Sequence, residues 1–297
     1  MAVYKQTYKR YQGPLTEERW RFAILARYSF LSILDSRLLA GFYTLCFVPP
    51  VLAAGLIYLN HSARAMSELS GAYGQGGVIG LVPINNLFFH MVFRIQAFLA
   101  FMLVTFVAPS IVTADISNNA FPVYFSKPIS RQEYVGGRIA VLLALTSLIT
   151  WIPGLILIAL QSDMDGTHWL VANYRIAVAF FVSSWIWIIA TSLFAIALSA
   201  WLRWKSVATG AMLGVFFAGA GLGEMLNNIL PVIPVPVQWG LLLNLSTVIA
   251  MIFDWITEGV TNRGAVPGWT ALSVMLLIAL GSVSVLYKRV RASDVVN

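Results

Sequence analysis

Apolar residues fall in blocks of about twenty, and the shorter stretches between them hold nearly all of the charge. A helix needs about 20 apolar residues to cross the roughly 30 Å hydrocarbon core of a bilayer. The pattern therefore predicts an all-α integral membrane protein. Its six transmembrane helices are expected over residues 38–59, 87–113, 139–160, 176–200, 207–226 and 266–287, forming a single transmembrane domain. Pro49 and Pro50 lie inside the first block. Their missing N–H groups and ring clashes predict a kink there.

Ahead of the first span, Trp20, Ile24, Tyr28, Leu31 and Leu38 recur at three-, four- and seven-residue steps, while Glu17, Glu18, Arg21 and Asp35 fall largely off that stripe. This period predicts an amphipathic helix lying in the membrane interface within residues 1–37. Thr16 can cap its start, and Glu17 and Glu18 suit the positive end of its dipole. Between spans five and six, segment 227–265 carries Pro231, Pro234 and Pro236 and then a 14-residue apolar run, Gly240 to Phe253. That run is short for a crossing, so it reads as a re-entrant or interfacial helix.

Composition agrees. Of 297 residues, 59% are hydrophobic and 10% charged, against about 25% charged in a soluble domain. The net charge of +7 resides in basic residues flanking the apolar blocks, which fits anionic lipid headgroups rather than nucleic acid. Counted on alternate sides of six spans, 15 Lys and Arg fall on the side of the termini and 3 on the other, with Arg94 inside a span. The positive-inside rule then puts both termini in the cytoplasm, with the chain integral to the cell membrane. A seventh crossing at 240–253 would put Lys288, Arg289 and Arg291 outside. With seven basic residues and no early apolar core in the first 37 residues, no cleavable signal peptide is expected, and the first span is expected to direct insertion. Cys46, the one cysteine, sits in an apolar run and reads as a small core residue.

Tryptophans mark the interfaces: Trp169, Trp239, Trp255 and Trp269 near outer boundaries, Trp201 and Trp204 near an inner one. Trp151, Trp185 and Trp187 fall elsewhere and read as packing between helices or as lining a cavity.

The loop 114–138 is the most informative stretch. Ser130 followed by Glu133 makes a capping box for the helix leading into span three, and Pro128 stops the preceding turn. Asp115, Ser126, Lys127, Pro128, Ile129, Ser130, Arg131, Tyr134, Gly137 and Arg138 follow an acid and "Ser/Arg-Lys/Arg-Pro-Ile/Val-Ser-Arg-x-x-Tyr-x-x-Gly-Lys/Arg" pattern. On these residues the chain resembles the permease subunits of type-two ATP-binding-cassette exporters, as it does in its plan of an elbow helix, six spans and an external semi-helical segment. The Asn118-Asn119-Ala120 stretch departs from that family, where glycine or a bulky aliphatic residue is expected.

The resemblance implies that 114–138 is a coupling loop on which a separate ATPase docks. The docking residues would be Asp115, Asn119, Phe121, Tyr124, Lys127, Pro128, Ser130, Arg131, Glu133 and Tyr134. It implies ABC ATPase subunits and a second permease copy or related permease as partners. ATP and Mg are expected on the ATPase and no cofactor on this chain. No Gly-x-x-x-x-Gly-Lys-Ser/Thr loop occurs, so the chain itself is not expected to be an enzyme. Two alternatives stand beside transport: a membrane anchor that couples an ATPase to mechanical work on an external partner, and an intramembrane enzyme. For the last, His90, His168, Asp163, Asp165 and Glu224 are the suggestive groups, with no His-Glu-x-x-His or Gly-x-Ser-x-Gly motif among them.

Charged groups within spans are costly and mark candidate sites. His90 and Arg94 share a face of span two, and Glu224 lies near the outer end of span five. The expectation is either an Arg94–Glu224 pair, closing an external gate or joining helices, or separate snorkelling to the interface. Gly210, Gly214, Gly219 and Gly223 are two small-residue pairs on span five, suited to a subunit interface or to close packing within the chain.

Overall fold

A computed structural model describes residues 21–69, 83–113, 115, 118, 131–202, 204–229, 238–258 and 266–289. Every regular element among them is helical. Six helices are long and apolar enough to cross a membrane: Arg37–Ser62, Asn86–Ile111, Glu133–Asp165, Tyr174–Trp201, Lys205–Asn228 and Gly268–Lys288. The chain is thus organised as an integral membrane protein.

Helix α1 (Arg21–Asp35) precedes the spans. Span one is broken into α2 (Arg37–Leu45) and α3 (Val48–Leu69). The break falls at Cys46 and Phe47 because Pro49 and Pro50 bring no N–H to the preceding carbonyls, while in the first turn of α3 they are tolerated. Helix α3 continues ten residues beyond the expected end at 59, through a stretch holding the strong helix formers Ala63, Ala65 and Met66. Span two is α4 (Asn86–Ile111), started by Asn85, whose side chain accepts from the Phe88 N–H.

Span three is two stacked helices, α5 (Arg131–Ile149) and α6 (Trp151–Asp165), jointed at Thr150 ahead of Pro153. After the short α7 (Thr167–Ala172) come span four, α8 (Tyr174–Trp201), and span five, α9 (Lys205–Ile229). A 3-10 turn (Trp239–Leu243) leads into α10 (Leu245–Thr257), and α11 (Gly268–Arg289) is span six.

Helix α8 is the axis of the bundle and packs on α4, α5, α6, α9, α10 and α11. Spans two, three and four are 67%, 61% and 56% buried over their apolar windows, against 22%, 22% and 28% for spans one, five and six. The core therefore lies around α4, α5 and α8, and the remaining spans present wide apolar faces outward. Trp187 is one of its largest buried side chains, its indole N–H donating to the Ala97 carbonyl at 2.7 Å. Trp151 and Trp185 stack at 6.2 Å between α6 and α8, so these tryptophans pack helices together. Cys46 is buried, as a small core residue should be.

The apolar run 240–253 is not one helix. The 3-10 turn lies along α9, with Gly240 against Gly223 and Leu243 against Gly219. The chain turns at Asn244, whose side chain accepts from the Ser246 and Thr247 N–H groups, and α10 sets off in a new direction. Helix α10 is buried from Thr247 to Asp254 and ends at Glu258, the one non-glycine residue with left-handed backbone among those described.

Candidate functional site

One end of the bundle, here the proximal end, gathers α1, the end of α4 and the start of α5. Ala26, Phe30 and Ile33 of α1 join the core on one face, together with the buried Ser29. Tyr28, Leu31 and Leu38, the described members of the expected apolar stripe, are 70%, 48% and 87% exposed, so these three point away from the protein.

Under α1 lies a buried polar cluster. The Tyr134 hydroxyl donates to Asp115 Oδ2 at 2.6 Å. Arg138 reaches the same Oδ2 with one guanidinium nitrogen and donates to Ser29 Oγ with another. Its guanidinium carbon stands 5.3 Å from the centre of the Tyr134 ring, in cation–π range. Arg138 and Tyr134 are 5% and 2% exposed, and the Asp115 side chain 14%. The order of the chain explains the convergence: Tyr134 and Arg138 are four apart on one face of α5, and Asp115 lies just beyond α4. A carboxylate buried to this degree needs the cation and the hydroxyl donor together.

Of the expected docking residues, Asp115 and Tyr134 belong to this cluster. Glu133 is half-buried in the first turn of α5, and Arg131 begins that helix. Asn119, Phe121, Tyr124, Lys127, Pro128 and Ser130 lie outside the described residues.

The opposite, distal end holds a second constellation. His90 Nδ1 is 2.6 Å from Asp254 Oδ1, with both side chains nearly fully buried. One turn away, Asn86 Nδ2 donates to Thr257 Oγ1 at 3.0 Å. These contacts run α10 antiparallel to α4. Phe93 and Phe253 stack below them at 5.1 Å, and Phe180 of α8 meets both edge-on. Arg175 pairs with Glu258 at the exposed rim. The acid seated against His90 is thus Asp254 of α10, while Glu224 lies exposed on α9 and Arg94 is half-buried. Asp254 directly follows the apolar run and was not singled out from sequence. Neither was Gln96, 1% exposed, whose amide atoms find no partner among the described residues.

The four glycines divide. A Cβ at Gly219 would stand 2.6 Å from the Leu243 carbonyl oxygen, and one at Gly223 would fall on that of Gly240. Asn227 Oδ1 accepts from the Gly240 N–H at 3.0 Å, completing this packing within the chain. Gly210 and Gly214 meet nothing within 4 Å.

Neither a protein-family model nor a curated protein sequence matches the chain.

Proposed function

We propose that the chain is the membrane-spanning permease subunit of an ATP-binding-cassette exporter, driven by a separate ATPase docking on the loop 114–138. The observation that supports this most is the proximal cluster. Of the family-like motif, Asp115, Tyr134, Gly137 and Arg138 are described with their surroundings, and three of these four meet in one buried knot with α1. The knot ties the start and end of the loop together and to the helix before span one. A push on the loop then moves α1, α4 and α5 as a unit, and a packed bundle responds by switching between discrete arrangements.

In this reading the loop and both termini face the cytoplasm. Tyr28 and Leu31 of α1 dip into the inner interface, making α1 the elbow helix. The 3-10 turn and α10 form a re-entrant hairpin from the outside. Irregular backbone at membrane depth needs partners within the protein; the Gly240 N–H donates to Asn227 Oδ1, Asn244 caps α10, and α10 is buried from Thr247 to Asp254. The outward Gly210 and Gly214 suit close approach by a second permease copy or a related permease.

The test is to tag the chain, co-express it with a candidate ATPase and purify in detergent, alongside a triple replacement of Pro128, Ser130 and Arg131. Co-purification with wild type, and its loss with a variant that keeps the wild-type elution profile, is expected. ATPase retained equally by the variant would remove the docking assignment.

A further inference from the structure

Between spans four, five and six lies a groove of about 770 Å³, within the roughly 300–1,000 Å³ of small-molecule sites. Trp201 of α8, Gly219 of α9, Leu243 of the 3-10 turn, and Leu277, Gly281 and Lys288 of α11 mark its walls. Leu277 and Trp201 are 68% and 58% exposed, so the groove opens sideways onto the face that a bilayer surrounds. Its polar groups are few. The Ser282 hydroxyl is turned back to the Ile278 carbonyl at 2.7 Å. Lys288 is left as the charged group, and it stands with Trp201 at the proximal mouth. From Lys288 to Val274, the far wall on α11, the groove follows about 21 Å of helix, enough to traverse one leaflet of about 15 Å.

Lys288, the charged residue among the described lining, stands at interface depth above a leaflet-long apolar trough, and this arrangement complements one kind of ligand. We propose that the groove holds an acyl chain of an anionic phospholipid, with the headgroup phosphate at Lys288. The binding site depends on the spans lying in a membrane and is independent of any ATPase, so either reading can fail alone.

The chain is reconstituted in nanodiscs containing phosphatidylglycerol or phosphatidylcholine with brominated acyl chains. The quenching of Trp201 is taken as the difference between wild type and Trp201→Phe. Strong quenching at a low mole fraction of brominated phosphatidylglycerol is expected. Lys288→Gln should weaken the preference for the anionic lipid about fivefold, the equivalent of about 1 kcal/mol for one basic side chain near anionic lipid. Gly281→Phe should abolish the high-affinity component, because a side chain there enters the groove and a Cβ meets nothing within 4 Å. Equal quenching by the two lipids in wild type, unchanged by Gly281→Phe, would overturn the site as ordinary contact with bulk lipid. Shielding of Trp201 from both lipids, with a cross-link between two copies at Leu277→Cys, would overturn it in favour of a second chain as the occupant.

Discussion

Replacing Arg138 by glutamine leaves the Asp115 carboxylate buried without its cation. Arg138 is 5% exposed and the Asp115 side chain 14%, so little water can take the place of the lost partner. Breaking a buried pair from one side costs about 3–5 kcal/mol, and Asp115→Asn should cost a similar amount by taking the carboxylate away from the buried guanidinium. Tyr134→Phe removes one hydrogen bond to a charged acceptor, about 1.5–3 kcal/mol. The double variant Asp115→Asn, Arg138→Gln strands no charge and should cost no more than either single change. Reversible unfolding in mixed micelles with a rising fraction of denaturing detergent gives the four free energies. Limited proteolysis within 21–35 reports whether α1 has come away. Single losses below about 1 kcal/mol, the range of exposed pairs, or losses that simply add, would refute the buried knot.

At the distal end, His90→Ala should destabilise by about 1.5–3 kcal/mol through loss of its buried contact with the Asp254 carboxylate, and in a cycle with Asp254→Asn the two losses should not add; additive losses in the same unfolding assay would contradict the pairing. Gly223→Ala should cost about 1–3 kcal/mol by driving a methyl against the Gly240 carbonyl, whereas Gly214→Ala should be neutral or gain about 0.5–1 kcal/mol of helix propensity; thermal stability in one detergent compares the two. Trp187→Phe should cost about 1–3 kcal/mol by removing the indole hydrogen bond to the Ala97 carbonyl and leaving a gap where the larger ring packed, read from the same melting curves.

The spans were legible because burial in lipid and burial in a helical core both demand unbroken apolar length, and each of the six blocks supplies it. Joints inside spans were less so. Pro49 and Pro50 announced a break, but at Thr150 the sequence shows only Pro153 nearby, which is also acceptable as an early residue of a new helix. The apolar run 240–253 predicted a short helix and hid its division at Asn244, because both pieces are equally apolar. Four-residue spacing put His90 and Arg94 on one face of span two, yet it carries no information on which distant element meets His90. Asp254 is 164 residues away, and its helix reaches α4 only through the hairpin along α9. Tyr134 and Arg138 share a face by spacing alone, whereas their meeting with Asp115 and Ser29 depends on how α1 crosses α5, which no local pattern encodes.

The most direct test of the permease reading is site-specific photo-cross-linking in cells that co-express the chain with a candidate ATPase. A photoreactive amino acid is placed at Tyr124 or Lys127, and at Thr167 or Glu258 of the distal end as controls. Cross-links to the ATPase from Tyr124 and Lys127, and none from the distal positions, are predicted. No ATPase adduct from the loop, or equal adducts from both ends, would contradict a loop-driven permease.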